Sequence, residues 1–250
     1  MTLAPPITAP GQLVSALRGP GHAVLDAAGV CTLASATLAE LAALRPSWDD
    51  LPADAYLRDG GRYRRRRHAS YVVDAAGKLQ AAPHRAHWQP VEYNALHGGI
   101  ERWFQPVSPE VEAQPAWSRL LLAFARTCTA LKGVRSWYVE AHQFRIDTTD
   151  GIGRPTPEGA HRDGVDLVAV ILVERSAIKG GETRVFEAHG PAGLRFTLEE
   201  PWSALVLDDQ RVIHESTPIQ PLEAQGHRDT LVLTYRAGGF QGPTAASAGA

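Results

Sequence analysis

From Ser136 onward the chain is cut into short β-branched and aromatic runs separated by Gly, Pro and Asp: SWYVEAHQFRID, VDLVAVILVE, TRVFEA, GLRFTL, SALVLDD, RVIHEST and DTLVLTYR. Seven such runs in roughly 100 residues, with no helical period between them, predict antiparallel strands closing into a barrel or jelly roll. Upstream, Pro115 to Leu131 repeats apolar residues at three- and four-residue steps, with Pro in its first turn and Gly133 past its end, which predicts a long helix lying against that sheet. Ser35 to Leu44 predicts a short helix capped by Ser35, and Ser70 to Asp74 with Leu79 to Ala82 a hairpin. A chain of 250 residues with 44% hydrophobic content suits one domain. The expected organisation is an amino-terminal wrapping segment with helices (1–113), a buttressing helix (114–132), a core at 136–237 and a mobile tail at 241–250.

A formal net charge of -2 argues against nucleic acid or an anionic membrane as partner and favours a small molecule. No stretch approaches the roughly 20 apolar residues that span a bilayer. Cys31 and Cys128 stand far apart without a CxxC, so a reducing cytoplasm is the expected compartment. The basic run Arg62 to Arg67 reads as a solvated strand face, with steering of a substrate or cosubstrate anion, and then nucleic-acid binding, as the alternatives.

The chain holds ten histidines. His161-Arg162-Asp163 and His227-Arg228-Asp229 both place an imidazole and a carboxylate two residues apart, on one side of an extended chain. A metal needs a third ligand from a distant strand. No histidine follows Asp229, whereas RVIHEST supplies His214 to the first pair. Two His and one carboxylate occupy one face of an octahedron and leave positions open, as in the facial triad of non-haem Fe(II) oxygenases; a structural zinc site would close its shell, usually with Cys. Arg228 and Thr230 follow at same-face spacing, a planar donor fork and a hydroxyl suited to a carboxylate. A dicarboxylate chelating the metal at one end would have its far end clamped there.

The ordered set His161-x-Asp163, a long apolar strand, Gly180-Gly181-Glu182-Thr183, His214 and Arg228-x-Thr230 resembles the 2-oxoglutarate and Fe(II)-dependent dioxygenases over about Trp137 to Arg236. Tyr93-Asn94, Gly98-Gly99-Ile100 and Glu140 to Arg145 resemble more narrowly the bacterial branch of free L-amino-acid hydroxylases. The resemblance implies a mainly β fold with flanking helices and a double-stranded β-helix core. It implies Fe(II) on His161, Asp163 and His214, with 2-oxoglutarate held through Arg228 and Thr230. It implies consumption of O2, release of succinate and CO2, and hydroxylation of a small polar substrate.

A non-catalytic cupin-like binder or a metal-dependent hydrolase could use the same ligands, although neither needs a carboxylate clamp. His84 and His87 lie between Pro83 and Pro90 with no zinc pattern and carry no expected metal role. On Tyr138 to Ile146, His142 shares a face with Glu140 and Phe144, opposite Gln143 and Arg145, and one of these faces lines the barrel. Gln143 and Arg145 are the candidates for binding substrate, with Arg145 pairing to a core acid as the alternative.

Overall fold

The computed structural model describes residues 3–243, so residues 244–250 of the expected mobile tail lie outside it. In chain order the elements are α1 (Leu13–Arg18), β1 (His22–Leu25), α2 (Ala27–Ala34), α3 (Leu38–Ala42), β2 (Arg64–Val73), β3 (Leu79–Ala81), α4 (Pro109–Glu112) and α5 (Pro115–Lys132). There follow β4 (Trp137–Asp147), β5 (Leu167–Ser176), β6 (Ile178–Gly180), β7 (Thr183–Glu187), β8 (Gly193–Phe196), β9 (Ala204–Leu207), β10 (Val212–Ser216), β11 (Ile219–Pro221) and β12 (His227–Arg236). One sheet of seven strands runs β1-β9-β5-β12-β4-β2-β3; a smaller layer consists of β10-β7-β8 and the pair β11-β6. All the strand pairings are antiparallel, and the fold is a jelly roll. The larger sheet is not confined to 136–237: β1, β2 and β3 come from the amino-terminal segment, which therefore builds the barrel as well as wrapping it.

Alternation on the two central strands decides what lies where. On β12, Leu231, Leu233 and Tyr235 point outward into a core shared with Leu120, Leu121 and Phe124 of α5, while Val232 points inward with Val168, Leu172 and Phe196. On β4, Trp137, Val139 and Ala141 share the outward face. The helix is latched to the sheet by polar groups that would otherwise be buried unpaired: Tyr235 Oη–H donates to the Leu121 carbonyl at 2.9 Å, and Trp137 Nε1–H to Thr129 Oγ1 at 2.9 Å.

Helix α5 begins at Pro115 and ends before Gly133 (φ +93°), close to the predicted span. The predicted hairpin is β2 and β3. The first short helix differs. Thr37 caps it rather than Ser35, because Glu40 three residues later completes a capping box: Glu40 N–H donates to Thr37 Oγ1 and Thr37 N–H to Glu40 Oε2. Ser35, in the left-handed region at φ 51°, ends α2 instead. No single helix among the described residues is long and apolar enough to cross a membrane.

Leu231 sits fully buried where β12 meets α5. Leu231→Ala is expected to destabilise the protein by about 2–5 kcal/mol, read as a lower midpoint in urea at unchanged slope.

Candidate active site

His161 lies in the loop before β5 and His214 in the middle of β10, and the backbone pairs them directly. His161 N–H donates to the His214 carbonyl at 3.0 Å, and His214 N–H to the His161 carbonyl at 2.9 Å. Directly opposed residues of an antiparallel pair project to the same side, and here the imidazole centroids are 4.8 Å apart. Asp163 completes the group: its Oδ1 is 3.8 Å from His161 Nε2 and its Oδ2 4.0 Å from His214 Nε2. One donor atom from each of the three lies within 4.8 Å of the others.

The acid is held by its own backbone. Asp209, after β9, accepts the N–H groups of Asp163, Gly164 and Val165 at 3.0, 2.8 and 3.0 Å. Gly164 adopts φ +73°, and a Cβ there would meet the Tyr93 ring at 2.5 Å, so only glycine fits the turn. Burial, then the charge of Asp163, pushes Asp209 up to about 6 despite those three donors. Gln241 Nε2–H donates to the carbonyls of Asp163 and Gly164, which places the first residue of the expected tail against the site rather than in solvent. His161 Nδ1–H donates to the Gly159 carbonyl at 3.0 Å, which leaves Nε2 as a lone pair facing Asp163. This donor set fits a divalent metal.

Two other groups bring metal-type donors together: His68, His87, Glu140 and His142, and Glu174, His227 and Asp229. Cations already occupy both. Glu140 accepts from Arg85, His68 and His87, and Arg66 Nη2–H donates to His142 Nδ1 at 2.7 Å. Glu174 holds Arg45, and Asp229 holds Arg145. The surroundings of single histidines also differ. Burial would lower the pKa of His161, but the carboxylates of Asp163 and Glu158 outweigh it and raise the value. His142 is pushed far down by burial and then by the charges of His87 and Arg66. The surroundings of His161 thus favour a positive charge and those of His142 disfavour one.

The triad opens into a cavity of about 130 Å³, many times the roughly 10–15 Å³ that one water needs. Arg228 and Thr230 line it from β12, with Arg228 Nε and Nη2 buried and without a partner. A bulge at Asp229/Thr230 against β5 accompanies this turn of the strand. Val165, Val170, Val232, Phe144 and Ile146 supply apolar wall.

The inward face of β4 is that of Glu140, His142 and Phe144, so Gln143 and Arg145 are corrected: neither lines the cavity. Gln143 Nε2–H donates to Ser47 Oγ, and Arg145 grips Asp229 with Nε at 2.8 Å and Nη2 at 2.6 Å and also reaches Asp49. A signal was available, since Trp137, Val139 and Ala141 share their parity and mark that face as core. Arg64 and Arg66 correct the solvated reading of the basic run, because they point inward and are buried, while Arg65 and Arg67 point out. His87, Gln89 and Arg102, to which the sequence assigned no role, also line the cavity.

The model of the 2OG-Fe dioxygenase family matches residues 45–234. A solved bsmA homolog from Methylobium petroleophilum PM1 is 52% identical, with a TM-score of 0.91 over 96% of this chain and 98% of that one. IDO from Bacillus thuringiensis is 16% identical at TM-score 0.75, covering 96% and 100%. The Fe(II)/(alpha)ketoglutarate-dependent dioxygenase TqaL is 19% identical at TM-score 0.70, covering 91% and 86%. These last two share the fold. No curated protein matches the chain.

Asp209→Asn removes the anion that orders the Asp163 loop without touching a donor atom; Mn(II) affinity measured by calorimetry is expected to fall 10- to 100-fold with the circular dichroism spectrum unchanged. Burial, only partly offset by Glu140, lowers His87 to about 4 from 6.5. The unfolded chain therefore binds the proton first, and stability falls as pH drops from about 6.5 to about 4, by up to about 3 kcal/mol for this group. Urea midpoints across that window should slope less in His87→Phe than in the wild type.

Proposed function

The chain belongs to the 2OG-Fe dioxygenase family, and from that premise we propose that it hydroxylates a free L-amino acid or a close derivative, with Fe(II) on His161, Asp163 and His214 and 2-oxoglutarate on Arg228 and Thr230. It is a 2-oxoglutarate-dependent oxygenase and uses Fe(II), 2-oxoglutarate and O2. Membership leaves no ground for the non-catalytic binder or the hydrolase as its activity. The observation that carries the residue assignment is the meeting of the triad and the unpartnered Arg228 guanidinium in one cavity.

When bound, the metal supplies the oxidising chemistry, coupling decarboxylation of 2-oxoglutarate to succinate and CO2 with transfer of one oxygen atom from O2 to a substrate C–H bond. The protein's part is placement and exclusion of water. The Gly159 carbonyl holds His161 in the tautomer that offers Nε2. Gln89 Nε2–H donates to Asp163 Oδ1 at 3.1 Å, restricting which carboxylate oxygen is free to ligate. Arg228 offers two unused N–H directions to a distal carboxylate, with the Thr230 hydroxyl one same-face step along β12. Val165, Val170 and Val232 keep the reacting region apolar.

Part of the fragments that resemble amino-acid hydroxylases lies at this cavity, Asn94 and alternate residues of the Glu140 to Arg145 stretch, which supports the substrate reading. Asn94 Nδ2–H donates to Gln89, the ring of Tyr93 packs against Gly164, and Glu140, His142 and Phe144 form one wall. The free Cys31 and Cys128 accord with a cytoplasmic enzyme.

The twenty L-amino acids, each assayed for succinate release with Fe(II), 2-oxoglutarate and O2, should include at least one that raises turnover well above the uncoupled rate; twenty blanks would remove the amino-acid reading. Arg228→Ala should weaken 2-oxoglutarate binding by about 100-fold, on the scale of a lost charge-assisted hydrogen bond, while Mn(II) affinity stays within threefold.

A further inference from the structure

Three arginines face the cavity besides Arg228. Alternation on β2 turns Arg64 and Arg66 inward, and Arg102 reaches in from the loop before α4; they are 6%, 3% and 2% exposed. One carboxylate, Asp54, serves two of them: Arg64 Nε–H donates to Asp54 Oδ2 at 2.7 Å, and Arg66 Nη1 stands 3.8 Å away from the same oxygen. The other partners are neutral. Arg66 Nη2–H meets His142 Nδ1, its guanidinium lies 3.8 Å over the Phe104 ring and 4.3 Å over Phe144, and Arg102 Nη2–H donates to Gln89 Oε1 at 2.8 Å. Arg64 Nη2, Arg66 Nε and Arg102 Nε are buried with no partner. Burial, then the charge of Arg64, pulls Arg102 down to about 10, so it remains a cation at neutral pH. Glu140 and Glu158 line the same cavity but accept no hydrogen bond from these three, so Asp54 is their one direct acid partner and each keeps an unused N–H, a costly arrangement unless a ligand brings a further acceptor and negative charge.

Building on the oxygenase reading, we propose that Arg66 and Arg102, with Arg64 beside them, form a second carboxylate subsite, and that the substrate binds as a free carboxylate anion held there. It is separate from the Arg228 clamp. Arg64 and Arg228 both oppose Ile146, from the two neighbouring strands of β4, so their Cα atoms stand about 10 Å apart across the sheet. One row further on, Arg66 opposes Phe144, with Thr230 on the far side. The second subsite is also tied to the triad: Gln89 accepts from Arg102 through Oε1 and donates to Asp163 through Nε2, so a carboxylate on Arg102 is one bridging side chain from the metal ligand. Phe144, Val170 and Val232 complete the space with apolar surface, which suits an aliphatic remainder. An amide or ester of the same molecule would leave the guanidiniums uncompensated.

The test is calorimetric titration of the Mn(II)- and 2-oxoglutarate-loaded protein with L-leucine, L-isoleucine, their carboxamides, and 3-methylbutanoate, which has the carboxylate but no ammonium. The acids should bind at least 30-fold tighter than the carboxamides. Arg102→Gln and Arg66→Gln should each weaken acid binding at least 30-fold and leave 2-oxoglutarate affinity within threefold, with Arg102→Lys recovering part of the loss; Arg228→Gln should do the reverse. Should Arg66→Gln fail to fold, the Arg102 variants and the acid–amide comparison on the wild type still decide. The proposal is overturned if carboxamides bind as well as acids, if the Arg102 variants bind the acids normally, if they lose 2-oxoglutarate instead, or if no carboxylate binds. If 3-methylbutanoate binds through Arg102 while no amino acid binds or turns over, the subsite stands and the amino-acid reading alone fails.

Discussion

The reciprocal backbone hydrogen bonds between His161 and His214 are the constraint on which the centre depends. They join the loop before β5 of the larger sheet to β10, the edge strand of the smaller layer, and in closing the barrel they place two imidazoles on one side. Asp163 is then aimed by a separate device, the Asp209 carboxylate gathering three successive N–H groups. The donors are thus oriented by backbone and not by one another, and mutual repulsion of Asp163 and Asp209 is left for a cation to relieve.

Polar groups line the cavity part of the barrel interior, beside the inner cluster of Val168, Leu172 and Phe196, because the outside of the larger sheet carries much of the apolar burial. On β12 and β4 one parity packs against α5 and the other presents Arg228, Thr230, Glu140 and His142 to the cavity. The outward packing of Trp137, Tyr235, Leu231 and Leu233 supplies the stability that lets the inward face hold groups no apolar core would accept. A one-residue slip of either strand would exchange the two faces and destroy both.

That parity also explains what was and was not legible in the amino-acid order. The triad and Arg228 could be read because few residue types ligate a metal or fork onto a carboxylate, and His214 is the one histidine that follows the first His-x-Asp pair at a suitable distance in a strand pattern. The strands and α5 were legible from periodicity. The substrate side was not. Arg62 to Arg67 looks solvated until pairing with β4 sets Arg64 against Ile146 and Arg66 against Phe144, and that register is determined by residues far along the chain. Gln143 and Arg145 looked available because both faces of β4 carry polar residues; Asp229, which neutralises Arg145, lies on a different strand. Gln89 and Arg102 belong to loops with no period, where only tertiary contact assigns a role.

Charges of both signs line the cavity, and they bear on how the ligands bind together. Arg228 and Arg66 stand on the two strands flanking β4, and Asp163, Glu158 and Arg102 line the same cavity. On the proposed reading this matches a dicarboxylate, a cation and a second carboxylate. Without the cation, the acids of the centre repel both anions and offset part of the attraction of the arginines. With it, the repulsion changes sign and each anion gains a neighbouring positive charge. The metal should therefore bind first and make both anions bind more tightly. Since coupling free energies are reciprocal, each anion should in turn retain the metal. At the His68, His87, Glu140 and His142 cluster, by contrast, Arg85 and Arg66 already hold Glu140 and His142, so the two clusters with similar donors differ in what their partners leave free.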